Sequence, residues 1–205
     1  MRLLQVYNQY RSLFGGEETV VQRIADMVES NGGEARLLMR SSRGLDNSIH
    51  GKTQAFLSGI YNPFAARDVG QYVDEYRPDV VHVHNLYPLF SPSVLGAIRR
   101  KGFPIVMTVH NHFHTCPTAD HLHDGEICEK CVGGREYHCA IQNCRGSVFE
   151  SVAYSARSAV TRKLRLFPKN VTVTIALNEF ARERLLLAGF PPERVVVLPN
   201  SVRIP

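Results

Sequence analysis

Short runs of aliphatic and β-branched residues alternate with helix-period segments along most of the chain, and this alternation restricts the fold more than any other feature. Residues 3–7, 34–39, 79–84, 104–110, 171–177 and 194–198 read as strands. Between them, residues 17–31 carry Val20, Val21, Ile24 and Val28 at helical spacing and close on Gly32-Gly33. Residues 63–76 read as a helix broken by Pro78, and residues 179–188 as one ended by Gly189. Residues 91–101 open with Ser-Pro, which predicts Ser91 as N-cap and Pro92 as the first helical residue. Strand and helix alternating at this spacing predict an α/β fold: a Rossmann-like, mainly parallel sheet with helices on both faces. Ligands on such sheets bind beyond the carboxyl ends of strands, near a switch in strand order. The candidate positions are therefore Gly15-Gly16, His84-Asn85 and His110-Asn111.

One stretch breaks the alternation. All five cysteines lie between Cys116 and Cys144, and six of the nine histidines lie between His110 and His138. Residues 112–145 therefore read as a Cys/His-rich insertion in one domain covering residues 1–198, with residues 199–205 opening a linker. In a reducing compartment such a cluster reads first as a metal site, with zinc the expected ion. Cys128-Glu129-Lys130-Cys131 supplies a C-x-x-C pair. The expected ligand set is Cys116, Cys128, Cys131 and Cys144, with Cys139 as the alternative ligand; His121, His123 and His138 compete. Four thiolates close a zinc shell, so the expected role is structural. Disulfides and reduced, packed thiols remain alternatives.

The remaining candidates are weaker one by one. Gly15-Gly16-Glu17 stands between a strand and a helix, where backbone can approach a ligand and a helix N-terminus favours anions; a plain turn is the competing reading. His110, at a strand end, can donate to a substrate hydroxyl or a phosphate. His82 and His84 share a strand face, so an H-x-H zinc pair is conceivable, against one core and one rim histidine. Residues 147–166 form a basic helix with Arg157, Arg162, Lys163 and Arg165, and with Phe149, Val152, Ala153, Ala156, Val160 and Leu164 as its apolar stripe. The stripe is expected to face the core and the cations to face solvent or anionic lipid headgroups. Arg99-Arg100-Lys101 is a second basic patch.

Charge fits this picture. The net charge of +5 and the pI of about 9.1 favour phosphates or an anionic membrane surface. The basic residues are spread out and match no nucleic-acid motif, so no nucleic-acid partner is expected. No apolar run approaches the roughly 20 residues of a membrane helix. The first residues turn polar too early for a signal peptide, so a cytoplasmic location is expected.

Phe14-Gly15-Gly16-Glu17, the stretch from Pro78 to Asn85, Val109-His110-Asn111, Cys116-Pro117 and Leu198-Pro199-Asn200-Ser201-Val202 occur in the order found in family 4 glycosyltransferases. The chain resembles the N-terminal, acceptor-side half of those two-domain, GT-B-fold enzymes, in a subgroup with a cysteine-rich loop. The resemblance implies sugar transfer from a nucleotide-sugar donor with retention of configuration and without a catalytic metal. It implies a glycan or lipid-linked acceptor, bacterial surface polysaccharide synthesis and a place at the inner face of the plasma membrane. Gly15, Gly16, Glu17, His84, Asn85 and Asn111 would contact acceptor or donor. His110 would be catalytic, hydrogen-bonding a donor hydroxyl and steadying an oxocarbenium-like transition state. Pro199, Asn200 and Ser201 would begin the interdomain hinge. Asn111 replaces the family's usual Asp, and Ser201 its usual Gly. The donor-binding E-x7-E pair of the C-terminal half has no match in these residues, so this stretch alone is expected to be inactive. The competing expectation is a metal-stabilised module that binds a polyanion or a protein partner without chemistry.

Overall fold

The computed structural model describes residues 1–9, 15–42 and 59–200. Phe14, Ser201 and Val202 lie outside the described residues. Six parallel strands form the sheet: β1 (Arg2–Gln9), β2 (Glu34–Ser41), β3 (Val80–Val83), β4 (Ile105–Val109), β7 (Val173–Ala176) and β8 (Val195–Val197), ordered β2-β1-β3-β4-β7-β8. The crossovers carry α1 (Gly16–Ser30), α2 (Pro63–Tyr76), α3 (Ser93–Arg100), α5 (Val148–Lys163) and α6 (Glu179–Leu187). The insertion supplies a two-stranded hairpin, β5 (Leu122–His123) with β6 (Glu126–Ile127), and the short α4 (Tyr137–Ile141). Strand order reverses at β1: the chain goes to β2 on one side, then passes back over β1 to β3. Right-handed crossovers therefore place α1 on the sheet face opposite α2 and α3.

The two faces of the central strands differ in chemistry. Leu4, Val6, Val81, Val83, Ile105 and Met107 point to one face and pack with Val69 and Val73 of α2 and Val94, Leu95 and Ile98 of α3 in the main core. Each such fully buried aliphatic side chain contributes about 1.5–3 kcal/mol. The alternate positions, which face α1, are Gln5, His82, His84 and Thr108, all buried, with half-buried His110 at the end of the row. A row of buried polar groups inside a parallel sheet needs internal partners, and that requirement shapes the site.

Local signals explain the helix ends. Asn62 caps α2, its side-chain oxygen accepting from Ala65 N at 3.0 Å, and Pro63 opens the helix. Asn178 caps α6 through Ala181 N at 2.8 Å. Helix α3 follows the Ser-Pro expectation: Pro92 already has helical dihedrals (φ −57°, ψ −15°), and Ser91 Oγ accepts from Ser93 N at 3.3 Å, as an N-cap does. Ser91 also accepts from Asn62 N at 3.0 Å and binds the Ser93 hydroxyl, so it ties α2 to α3. Gly33 makes the turn into β2, where an added Cβ would lie 2.7 Å from both Met1 O and Val28 Cγ1.

Helix α5 corrects an expectation. Its buried residues are Ser151, Ala153, Ser155 and Thr161. Val148, Phe149, Val152 and Leu164 are 67%, 57%, 51% and 57% exposed, so most of the apolar stripe faces outward. The inward face is small and hydroxylated because the insertion packs there. Ser151 Oγ donates to Asn143 Oδ1 at 3.1 Å, and Arg162 forms an ion pair with buried Glu136. Arg184 of α6 holds the insertion from the other side through Glu129.

Candidate functional site

The polar row ends at the carboxyl edge of the sheet, beside the switch in strand order, as one chain of hydrogen bonds through Gln5, His84 and His110 and one separate pair, His82 with Thr108. The Gln5 amide donates from Nε2 to the Val21 carbonyl of α1 at 2.9 Å. Its Oε1 meets His84 Nε2 at 3.0 Å, and His84 Nδ1 meets His110 Nε2 at 3.0 Å. His82 Nε2 is bonded to Thr108 Oγ1 at 2.8 Å. The rings of His82 and His84 stack at 4.3 Å, and those of His84 and His110 at 5.4 Å. His82 and His84 are thus taken by protein partners and do not form a free H-x-H metal pair. The sequence marked His84 and His110 but missed Gln5 and Thr108. The one available signal for them was a polar residue at an inward position of an otherwise apolar strand.

The β1–α1 turn stands at the same edge. Gly15 is the N-cap of α1 in an extended conformation, and its N–H donates to the Glu18 carboxylate at 2.9 Å. Neither Gly15 nor Gly16 has positive φ, and a Cβ on Gly16 would meet none of the described residues within 4 Å. Among the described residues, no strained turn and no packing contact demands glycine at position 16. Glu17 is pushed up to about 7, chiefly by burial and then by Glu18. Tyr7 is raised by burial and by its hydrogen bonds to Glu18 and Glu17, and its ring stands edge-on to His84 at 6.3 Å. Tyr7 therefore connects the α1 carboxylates to the histidine row.

The two asparagines do local work. Asn85 Oδ1 accepts from Tyr87 N at 3.1 Å and Asn111 Oδ1 from Phe113 N at 3.2 Å, each shaping the turn after its histidine. Pro199 and Asn200 are exposed beyond β8.

All five cysteines are free thiols. Burial, followed by neighbouring thiols, pushes Cys131 and Cys139 up to about 12. Cys116, Cys131 and Cys139 are buried, and Cys128 and Cys144 are partly exposed. Among the described residues, no group of three or more His, Cys, Asp or Glu side chains is arranged to hold a metal ion. As they stand, the buried thiols pack as small apolar groups.

Burial also determines how the site responds to acid. It lowers His82 and His110 to about 4 and His114 to about 3, and it lowers His84 strongly. All four are neutral in the folded state at pH 5, where the unfolded chain, titrating near 6.5, is mostly protonated. Their stability contribution is complete above 6.5 and is lost as pH falls toward the folded values, at up to about 1.4 kcal/mol per pH unit for each histidine. Glu17 acts in the opposite sense between 4.5 and about 7 and offsets one of the four. The urea midpoint is expected to fall clearly from pH 7 to pH 5; an equal or higher midpoint at pH 5 would contradict buried neutral histidines.

Comparison with known proteins agrees with the topology. The sequence profile described as Glycosyltransferase Family 4 matches residues 14–204. Among curated proteins, none matches in sequence. Among solved structures, the chain is similar to the lipopolysaccharide outer core galactosyltransferase WaaB in its apo form (TM-score 0.54, 13% identity), covering 100% of this chain and 47% of that one. It is similar to the UDP-GlcNAc 2-epimerase of Methanocaldococcus jannaschii (TM-score 0.51, 11% identity), covering 98% and 46%. It is also similar to the UDP-GlcNAc 2-epimerase of Neisseria meningitidis bound to UDP-GlcNAc (TM-score 0.50, 12% identity), covering 96% and 45%. The chain thus spans just under half the length of each of these structures. At such identities the likeness establishes the fold.

Proposed function

Because the chain belongs to Glycosyltransferase Family 4, we propose that it is the acceptor-side half of a retaining transferase that moves a sugar from a nucleotide-sugar donor to a glycan or lipid-linked acceptor. The observation that carries this reading is His110. It stands at the carboxyl end of β4, where ligands meet such sheets, and buried His84 holds its ring. In this reading His110 meets a hydroxyl of the reacting sugar and steadies the charge that develops as the sugar leaves its phosphate. The open space over Gly16 admits the ligand to the N-terminus of α1. Glu17, protonated in part near neutral pH, adds a hydrogen-bonding group beside that entry. A second half of the enzyme would hold the nucleotide, with Pro199 and Asn200 opening the crossover to it. That one solved relative is bound to UDP-GlcNAc supports a nucleotide-sugar donor. The test is transfer to saccharide acceptors from a panel of nucleotide sugars. Product is expected only when a donor-binding half accompanies the chain, and normal turnover by the chain alone would overturn the reading.

A non-catalytic polyanion module fits less well, since much of the basic surface is already neutralised. Arg40 pairs with Asp68, Lys101 with Asp74, Arg162 with Glu136 and Arg184 with Glu129.

We also propose that α5 brings the protein to the anionic cytoplasmic face of the plasma membrane, where a lipid-linked acceptor would lie. No helix among the described residues is long and apolar enough to cross a membrane. The outward stripe of Val148, Phe149, Val152 and Ala156 ends at exposed Lys163, with Arg165 and Lys169 just beyond, which is the pattern of a helix lying in a headgroup layer. The protein is expected to cosediment with vesicles containing anionic lipid and not with purely zwitterionic ones. Phe149→Asp is expected to release it; binding that is indifferent to this change would place the contact elsewhere.

A further inference from the structure

Gln5 lies in the middle of β1, fully buried, on the sheet face that packs against α1. Its hydrogen bonds determine the direction of every bond that follows. The Val21 carbonyl can only accept, so the amide NH2 of Gln5 faces it, and Oε1 faces His84. Oε1 can only accept, so His84 carries its proton on Nε2. A neutral imidazole with Nε2–H has an unprotonated Nδ1, and that Nδ1 meets His110 Nε2. His110 therefore donates from Nε2, and its own Nδ1 is the lone-pair atom. His84 is held neutral by burial, which keeps the chain running in this one direction. His110 Nδ1 has no hydrogen-bond partner among the described residues, and it is not one of the buried unpaired atoms, which are His114 Nε2 and Arg184 Nε.

We infer that Gln5 and His84 are positioning residues that lock His110 in its Nε2–H tautomer, so that the ring offers the site a hydrogen-bond acceptor at Nδ1. The group that meets this atom is then a donor. A sugar hydroxyl fits, whereas an ionised phosphate oxygen, which only accepts, does not. This reverses the sequence expectation, in which His110 donated to a hydroxyl or a phosphate: of those two partners only the hydroxyl can donate to Nδ1. The tautomer assignment stands on the hydrogen-bond geometry and the burial of His84; its link to sugar binding rests on the transferase reading. It also separates two roles within the row. His82, paired with Thr108, stacks beneath His84 and has no bond to His110.

The test is a long-range proton–nitrogen NMR correlation on the chain labelled with 15N-histidine, at pH 7. Both His84 and His110 are expected as Nε2–H tautomers with unprotonated Nδ1. A His110 ring protonated at Nδ1, or on both nitrogens, would overturn the inference. Gln5→Met keeps the volume and removes the acceptor for His84. Its expected result is a mixed tautomer at His110, and an unchanged His110 pattern in the folded variant would overturn the role of Gln5. Should that variant fail to fold, the wild-type spectrum still decides the tautomer. In an enzyme that includes a donor-binding half, Gln5→Met is expected to lower kcat about tenfold, the equivalent of one hydrogen bond, with acceptor KM little changed. The predicted tautomers in a protein that transfers no sugar would leave the inference standing and remove the transferase reading. Reversed tautomers in an active enzyme would do the opposite.

Discussion

Replacing His110 with alanine is expected to lower kcat by about 10²–10³-fold, with acceptor KM nearly unchanged, in an enzyme that includes a donor-binding half. The expectation follows from where the ring sits and from how it is held. His110 ends a row whose other members are buried and bonded in two pairs, Gln5 with His84 and His82 with Thr108. A ring fixed in this way does not have to reorganise when charge develops at the reacting sugar, and that is the circumstance in which one polar contact has a large effect on turnover. His110 keeps Nδ1 without a hydrogen-bond partner among the described residues, at the open end of the row. Alanine there removes the contact while Leu4, Val6, Val81 and Val83 on the opposite face keep their packing. Steady-state kinetics of the two proteins under identical conditions give the answer. Unchanged kcat would take His110 out of the chemistry. A matching loss in unfolding stability would recast the effect as structural.

Phe90→Ala is expected to cost about 3–5 kcal/mol of stability, the largest effect expected from a single core residue here. Phe90 is completely buried in the core beneath α2 and α3. Its N–H donates to Leu86 O at 2.8 Å, which closes the loop that leaves β3 at His84-Asn85. The Arg40 guanidinium lies over the ring at 5.0 Å and also reaches Leu89 O at 3.3 Å, so β2 is tied to the same loop. Removing the ring leaves a cavity lined by rigid sheet and helix that cannot collapse around it. The loop carrying His84 would lose its anchor with it. Urea unfolding measures the cost, and a loss below about 1 kcal/mol would show that the site does relax.

Much of this architecture was legible in the sequence, for physical reasons that differ from element to element. Helix α2 runs over the residues expected because prolines mark both of its boundaries, Pro63 inside the start and Pro78 beyond the end. The three candidate positions at strand ends follow from topology alone, and the sheet places His84 and His110 in contact. Gln5 was hidden because its importance lies in the register between β1 and β3, where it stands opposite His82, and register is a relation between strands that periodicity in one strand does not contain. The orientation of α5 was misread for a related reason. An apolar stripe usually marks the core side, but here the insertion packs on the hydroxyl face through Ser151 and through the Glu136–Arg162 pair. The expected ligand set among the cysteines was built on the C-x-x-C spacing; folding buries Cys116, Cys131 and Cys139 and leaves Cys128 and Cys144 partly exposed, a distinction that spacing does not carry.

The fold alone does not separate transfer from other nucleotide-sugar chemistry, since its structural neighbours include both a galactosyltransferase and UDP-GlcNAc 2-epimerases. Product identity separates them. The chain, accompanied by a donor-binding half, would be incubated with nucleotide sugars and saccharide acceptors, and the products resolved by mass spectrometry and NMR. The account predicts an acceptor heavier by one sugar, with its anomeric configuration retained, and one equivalent of free nucleoside diphosphate, both formed about 10²–10³-fold more slowly in His110→Ala. A sugar nucleotide inverted at a ring carbon, with no gain on any acceptor, would contradict it.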